Sequence, residues 1–403
     1  MSMNINKKLD VAIIGGGPAG LMAGVSAKNK GADVVIIEKG DLGSKILVSG
    51  NRRCNFTNKT FNLRELVENY EENGDFLYRA FSQFGPKETI NFFENRGVKT
   101  KIENSKAFPK SDNSQDILEV FKKELSENVL KGEVVDFLIE DERVDKILVK
   151  INDEVEKIEA KNFLLASGGK SYSHLGSDGF GFKVAKQIGH KVEKPTPGLT
   201  PIVSGDSKVE QLQGVSLQGV KVSASNKSEI GGLIFTHFGI SGPAILNLSL
   251  NLSEEVGELK INLLPKMGFK EIDKKLQGVF KGNKTVKNSL SEIFPKSLVE
   301  SLFSDFPLGS KANKVTKENR HKIVHRIRNI QIDKCQLAGF DRSLVTRGGI
   351  NLAEIDSKTM QSKIIDNLFF AGEVINLAGR TGGFNLQLSW STGRLAGRSV
   401  VEN

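Results

Sequence analysis

The segment that most constrains this chain lies near its N-terminus. Lys8-Leu-Asp-Val-Ala-Ile-Ile14 is a short apolar run of strand type, followed by Gly15-Gly16-Gly17-Pro18-Ala19-Gly20 and an apolar-periodic stretch from Leu21 to Lys28. A second apolar run, Ala32-Asp-Val-Val-Ile-Ile37, ends at Glu38. Strand, G-x-G-x-x-G, helix, strand and acid in this order predict a dinucleotide fold. Gly15 permits the tight turn, Gly17 lets backbone N–H groups approach a pyrophosphate, and Gly20 lets the helix pack on the sheet. Pro18 and Ala19 open the helix, whose N-terminus carries partial positive charge and free donors. Glu38 lies 18 residues after Gly20, where a carboxylate takes both hydroxyls of an adenosine ribose and disfavours a 2′-phosphate. Lys39 follows it at the same edge.

The rest of the chain sets bounds. Its 403 residues allow two or three domains and a large core without staples. Hydrophobic residues are 38% and charged residues 26%, which excludes a disordered chain. The 41 glycines exceed the usual share of about 7% and suit backbone that approaches a ligand closely. No apolar run approaches the roughly 20 residues of a membrane span. The leading Met-Ser-Met-Asn-Ile-Asn-Lys-Lys is not a signal peptide pattern. Two distant cysteines, Cys54 and Cys335, make no disulfide framework, so a reducing cytoplasmic setting is expected.

Distal segments distinguish FAD from NAD as the resident dinucleotide. Leu368-Phe-Phe-Ala-Gly372-Glu373 reads as a buried strand ending in a small residue, a glycine and an acid. Gly379-Arg-Thr-Gly382-Gly383-Phe384-Asn385 then opens a helical run from Leu386 to Val400. A second helix N-terminus suits the ribityl chain and pyrimidine edge of a flavin, where its dipole stabilises negative charge during reduction. Phe163-Leu-Leu-Ala-Ser167-Gly168-Gly169 is a further strand ending in small residues, as needed where backbone crosses close to a cofactor. Val134 and Val135 enter an alternating run and are expected to offer backbone to adenine. No second G-x-G-x-x-G opens another unit, so tightly bound FAD is favoured, with NADH or NADPH only a transient donor.

These residues, taken with others, resemble the BaiN-like flavoproteins, also called the aminoacetone-oxidase family. The resemblance is carried by Gly15 to Gly20; by Lys45-Ile-Leu-Val-Ser49-Gly50 running into Arg53-Cys54-Asn55-Phe-Thr-Asn58; and by Gly232-Leu-Ile-Phe-Thr-His-Phe-Gly-Ile-Ser-Gly-Pro243. Thr346-Arg-Gly-Gly349, Ala371-Gly-Glu373 and Thr381-Gly-Gly-Phe-Asn-Leu-Gln387 complete it. It implies an α/β, Rossmann-type FAD-binding domain of the glutathione-reductase and fumarate-reductase kind, with an inserted β-rich domain and a small helical subdomain. The expected parts are residues 1–190 with 340–403 for FAD, 191–265 for the β-rich insertion, and 266–339 for the helical piece. It further implies cofactor contacts from Lys45, Ser49, Gly50, Arg53, Cys54, Asn55, Phe384, Asn385 and Leu386. Three positions depart from the family pattern: Arg52 stands where Gly is usual, Asn376 where Asp is usual, and Phe384 where Tyr is usual.

The flavin carries the hydride chemistry, so no hydrolytic triad is expected. Cys54, flanked by Arg53, is a candidate proton donor whose pKa the arginine would lower. His237, in a stretch with bends, is the candidate on the substrate side. His321 and His325 share one helical face but have no nearby acid or cysteine in sequence, so no metal site is assigned. Between Lys266 and Cys335, 16 Lys+Arg stand against 7 Asp+Glu, a surplus equal to the +9 of the whole chain. That stretch is read as a solvated helical surface or as a surface for RNA across residues 266–335. Two activities stay open: a flavoenzyme acting on a small molecule, by NAD(P)H-dependent C=C reduction or amine oxidation, and a ribosomal RNA uridine reductase. The oligomeric state is not encoded in any motif.

Overall fold

The computed structural model describes residues 9–402. The first eight residues, including Lys8 and the segment read as no signal peptide, lie outside the described residues. The chain divides into two compact units, residues 1–196 with 344–403, and residues 197–343.

The first unit is built on a seven-stranded sheet. Leu9–Ile14 and Val34–Glu38 are almost wholly buried, as expected for parallel strands covered on both faces. They pair in parallel, with Val11 opposite Val34 and Ile14 opposite Ile37. Val129–Lys131 extends the sheet beyond Val34–Glu38, also in parallel. On the other side of Leu9–Ile14 lies Glu154–Leu165, a 12-residue strand with two roles. Its first half closes an antiparallel meander with Glu133–Glu140 and Arg143–Ile151. Its second half runs parallel to Leu9–Ile14 and to Leu368–Phe370. The carboxyl ends of Leu9–Ile14, Glu154–Leu165 and Leu368–Phe370 therefore leave the sheet side by side, at Gly15, Ala166 and Ala371.

Two helices from opposite ends of the sequence pack together over this sheet. Pro18–Lys28 is buried from Pro18 through Ala27. Phe384–Glu402 lies against it so closely that a Cβ at Gly393 or Gly397 would come within 2.3 Å of the Ala19 or Ala23 carbonyl oxygen. A small antiparallel ribbon, Thr57–Asn58, Lys106–Pro109 and Thr100–Glu103, sits beside the start of the C-terminal helix. Trp390 of that helix stacks on Phe121, donates its indole N–H to the Phe56 carbonyl, and sits edge-on to Phe93.

The second unit is a closed six-stranded antiparallel barrel joined to short helices through one core. Its strands include Ile202–Ser204, Ser216–Ala224, Lys227–Phe235 and Glu255–Asn262. Ile330–Leu337 closes the barrel. The sequence reading put that last segment in the helical piece, but Ile330, Ile332 and Leu337 are buried on a strand whose polar residues face out. The β-rich and helical parts thus share one hydrophobic core rather than forming separate subdomains.

In the first unit, His190 is buried between Glu354 and Ser362. Its Nδ1 lies 3.0 Å from Glu354 Oε2 and its Nε2 3.0 Å from Ser362 Oγ. Ser362 Oγ already accepts from the Ile364 and Ile365 amides, so its proton points to Nε2 and leaves no acceptor for a second imidazole N–H. Burial lowers the His190 pKa below 6.5, against a smaller opposing effect of Glu354. The unfolded chain then binds a proton that the folded chain does not. The resulting stability is full above the unfolded value and is lost as pH falls through the lower folded value. Thermal melts should show wild type losing more stability than His190→Gln between about pH 7.5 and about pH 5.5. Equal losses would contradict this role.

Candidate active site

The Gly15–Gly20 turn follows from its close contacts. Gly15 has a φ of +105°, and a Cβ there would lie 2.5 Å from the Ala166 carbonyl oxygen. A Cβ at Gly20 would lie 1.9 Å from the Gly15 carbonyl oxygen. Gly17 differs: a Cβ there meets nothing within 4 Å, so the space over the helix N-terminus is open. Glu38 Oε2 accepts from the Gly16 amide at 2.7 Å and Oε1 from the Gly40 amide at 2.6 Å. A cleft beside it is lined by Gly15, Glu38, Lys39, Val134 and Ser167, which are far apart in sequence. Val135 does not line that cleft and its side chain is exposed, because the ladder to Arg143–Ile151 shifts register between Val134 and Asp136. Lys39 pairs with Asp178 at 2.6 Å across the same opening. Ser167 Oγ is buried with no hydrogen-bond partner.

A second cluster forms where Lys45 meets Glu373. The Lys45 ammonium donates to Glu373 Oε2 at 2.5 Å and to Ser171 Oγ at 2.9 Å. Glu373 Oε1 accepts from Ser171 Oγ at 2.8 Å and from the Thr346 amide at 2.9 Å. Thr346 Oγ1 in turn accepts from the Lys170 and Ser171 amides. Gly168, at a φ of +76°, and Gly169 leave room for this knot; a Cβ on Gly169 would strike Thr346 Oγ1 at 2.3 Å. Gly372 packs on Ala19 with a φ of +77°. Sequence reasoning chose Lys45 and Glu373 but missed Ser171, which has no motif of its own.

The third cluster is the opening of the C-terminal helix. Gly382 and Gly383 both have left-handed φ, +123° and +93°. A Cβ on Gly383 would lie 2.5 Å from the Thr57 carbonyl oxygen. With its amide oriented to satisfy both neighbours, Asn55 donates to the Thr57 carbonyl at 2.8 Å and accepts from the Gly383 amide at 3.0 Å. Asn385 closes the preceding loop by exchanging two hydrogen bonds with Gly379. Tyr70 donates to the Phe384 carbonyl at 2.7 Å, and Leu386 packs partly buried against the core. Among the described residues no hydrogen bond or ion pair involves the Asn376 side chain, so the structure gives no account of that departure.

The loop from Ser49 to Asn55 changes the expectation for Cys54. Ser49 Oγ donates to the Ile46 carbonyl, and Gly50 lies against Asn55 with a φ of +55°. Arg53 is engaged by Glu103 and Asp112, both at 2.6 Å, with its guanidinium 4.4 Å from the Phe108 ring centre. Cys54 is fully buried, and burial pushes its thiol up to about 12 despite a hydrogen bond with Ser49. The lowering expected from Arg53 is therefore reversed, and the thiol is no ready proton donor at neutral pH. Arg52 has a φ of +66°, the left-handed region that explains why glycine is usual there. Its side chain is exposed.

In the second unit, His237 sits exposed at a tight turn in which Thr236 donates twice to the Gly239 carbonyl. Its ring contacts Phe238, which is stacked beneath Arg342 at 3.7 Å. His321 and His325 both pack on the Phe269 ring. Among the described residues no group of three or more His, Cys, Asp or Glu is arranged for a metal ion. No described helix is long and apolar enough to cross a membrane.

These clusters fit a flavin dinucleotide. An open, donor-rich helix start, a cleft lined by the Glu38 carboxylate and a buried unsatisfied hydroxyl lie in one unit with a second glycine-rich helix opening. A profile of the HI0933-like protein Rossmann domain matches residues 9–399. The chain is 28% identical to a 3-dehydro-bile acid delta(4,6)-reductase of Clostridium scindens, over 97% of this chain and 99% of that one. It is 30% identical to a ribosomal RNA dihydrouridine synthase of Haemophilus influenzae, over 96% and 97%. A 3-ketosteroid-Δ4-(5α)-dehydrogenase of Rhodococcus jostii shares the fold with a TM-score of 0.56 at 15% identity, over 100% and 99% of the two chains. The chain belongs to the HI0933-like flavoprotein family, has a Rossmann-type FAD-binding domain, and is an FAD-dependent oxidoreductase.

Two substitutions separate cofactor binding from folding. Gly17→Ala should fold normally and lower FAD affinity by about tenfold or more, about 1.4 kcal/mol, in a flavin fluorescence titration. Gly20→Ala should cost about 3 kcal/mol of stability with or without flavin. Similar melting of both variants would contradict the geometry. Arg52→Gly should relieve backbone strain of about 1–2 kcal/mol, offset in part by the entropy of glycine, and so raise the denaturation midpoint slightly. A clear fall in that midpoint would contradict the strain.

Proposed function

We propose that this chain reduces a carbon–carbon double bond conjugated to a carbonyl in a small cyclic substrate, with NADPH or NADH as transient electron donor. The observation that carries the reading is the union of two glycine-rich helix openings in one unit with a single dinucleotide fold. That arrangement suits one resident dinucleotide and a donor that comes and goes. Bound FAD supplies two-electron hydride chemistry.

The chain's own residues do the holding. The open amides of Gly17, Ala19 and Gly20 hold the diphosphate, with the helix dipole behind them. Glu38 takes the adenosine ribose, and Val134 with Ser167 lines the adenosine cleft. The Lys45–Glu373 pair, tied by Ser171 and Thr346, fixes the segment that reaches the ribityl side. Gly382, Gly383 and Asn385 present the second helix start. Two relatives support the bond class: one is named a 3-dehydro-bile acid delta(4,6)-reductase and the other a ribosomal RNA dihydrouridine synthase.

The uridine version has its own support in the basic helices. Asp273 pairs with Arg320, Glu292 with Lys284, Glu300 with Lys287, Asp305 with Arg326 and Glu318 with Lys322. Five of the segment's seven acids are thus neutralised, while among the described residues Lys270, Lys274, Lys275, Lys281, Lys311 and Lys314 stay exposed without an ion pair. Such a surface meets phosphates through counterion release.

Anaerobic mixing of the holoprotein with NADPH and with NADH tests the main reading. Bleaching of the flavin, followed by reoxidation with a cyclic enone, is expected. No bleaching by either donor, together with hydrogen peroxide formed from a small amine in air, would replace the reductase with an oxidase. Reoxidation by a ribosomal RNA fragment and not by the enone, with binding that weakens as salt rises, would move the substrate to RNA.

A further inference from the structure

Beside the opening of the C-terminal helix lies a cation that none of the described residues neutralises. Lys106 stands directly opposite Asn58 in the antiparallel ribbon, so the two side chains share one face. The stem of Lys106 passes Gly382, its Cε 3.9 Å from where a Cβ of that glycine would be. Lys106 is only partly exposed, and among the described residues it has no carboxylate or hydrogen-bond partner. Nearby acids are already taken: Glu103 and Asp112 each pair with Arg53 and Lys101.

Asn58 gives an independent sign. It is 2% exposed, and its Oδ1 accepts from the Thr60 amide at 2.8 Å. Its amide nitrogen is buried with no acceptor. A buried donor left unmade costs about 1–3 kcal/mol, so a native structure that keeps one needs an acceptor from elsewhere. Its ribbon neighbour Thr57 faces the other way and bonds Gln387 on the C-terminal helix. One face of the ribbon therefore anchors the helix, and the other presents an ammonium and an unsatisfied amide beside the helix start.

From this juxtaposition we propose that Lys106 and Asn58 are flavin-binding residues that stabilise negative charge on the pyrimidine side of FAD. Two-electron reduction by hydride leaves that side anionic unless a proton follows, and the helix dipole alone offers about half a positive charge. A lysine ammonium adds a full one, and the Asn58 amide adds a fixed donor. The Asn58 carbonyl is held by Thr60, so the amide cannot turn its oxygen toward the same anion. The inference rests on the flavin reading of this site and asks which chain groups set the flavin's reduction equilibrium.

The test is an equilibrium redox-dye titration of the FAD-loaded full chain, as wild type, Lys106→Met and Lys106→Arg, with flavin content measured on each. Lys106→Met should retain FAD and disfavour reduction by about tenfold, a shift of about 30 mV to lower potential for a two-electron couple. Lys106→Arg should stay within about threefold of wild type. If Lys106→Met loses its flavin, Lys106→Gln takes its place in the comparison. A flavin-loaded neutral variant with an unchanged potential overturns the proposal, also if its substrate KM rises, since Lys106 would then serve substrate. A wild type that takes up no FAD fails the underlying flavin reading instead.

Discussion

The site depends on the contact between the first helix and the last. Gly393 and Gly397 have no side chains, so the C-terminal helix can rest on the Ala19 and Ala23 carbonyls. That contact brings the two ends of the sequence into one unit and fixes the distance between their helix starts. Gly383 precedes Gly393 by ten residues, so the second opening stands about 15 Å along the helix from the contact at Ala19. An extended dinucleotide has the length to reach from one opening to the other. A side chain at either glycine would push the helices apart and misalign both ends of the site together.

The double role of Glu154–Leu165 complements this contact. Because the strand switches from an antiparallel partner to parallel ones, it carries the meander that supplies Val134 and the strand end that supplies Ser167. The cleft beside Glu38 is assembled from five separate stretches of the chain. Polar groups around it are satisfied by neighbours, apart from Ser167 Oγ. The Lys45–Glu373 knot holds the far side in the same way. Rigid scaffolds of this kind place reacting groups more exactingly than loops do.

Much of this was legible in the sequence where a local rule has a single physical cause. The turn at Gly15 needs positive φ, the crossing at Gly20 needs a missing Cβ, and the acid at Glu38 needs only correct strand length. The opening at Gly382 and Gly383 was legible for the same reason. Less legible were features decided by tertiary context. The strand Ile330–Leu337 sits in a Lys-rich stretch whose charge hid its alternation. Cys54 looked activated beside Arg53, but the arginine turns to Glu103 and Asp112 while the thiol is buried. Lys106 and Ser171 carry no motif, because their significance comes from what lies across a ribbon or a loop. Arg52 was visible as a departure, and only the backbone angle supplies its reason.

The central claim is that both helix openings hold one molecule of FAD, and amide hydrogen exchange tests it most directly. Added FAD should slow exchange at residues 15–20 and at residues 382–386 together, with the same concentration dependence. Slowing confined to the first opening, with the second unchanged at saturating FAD, would contradict the account.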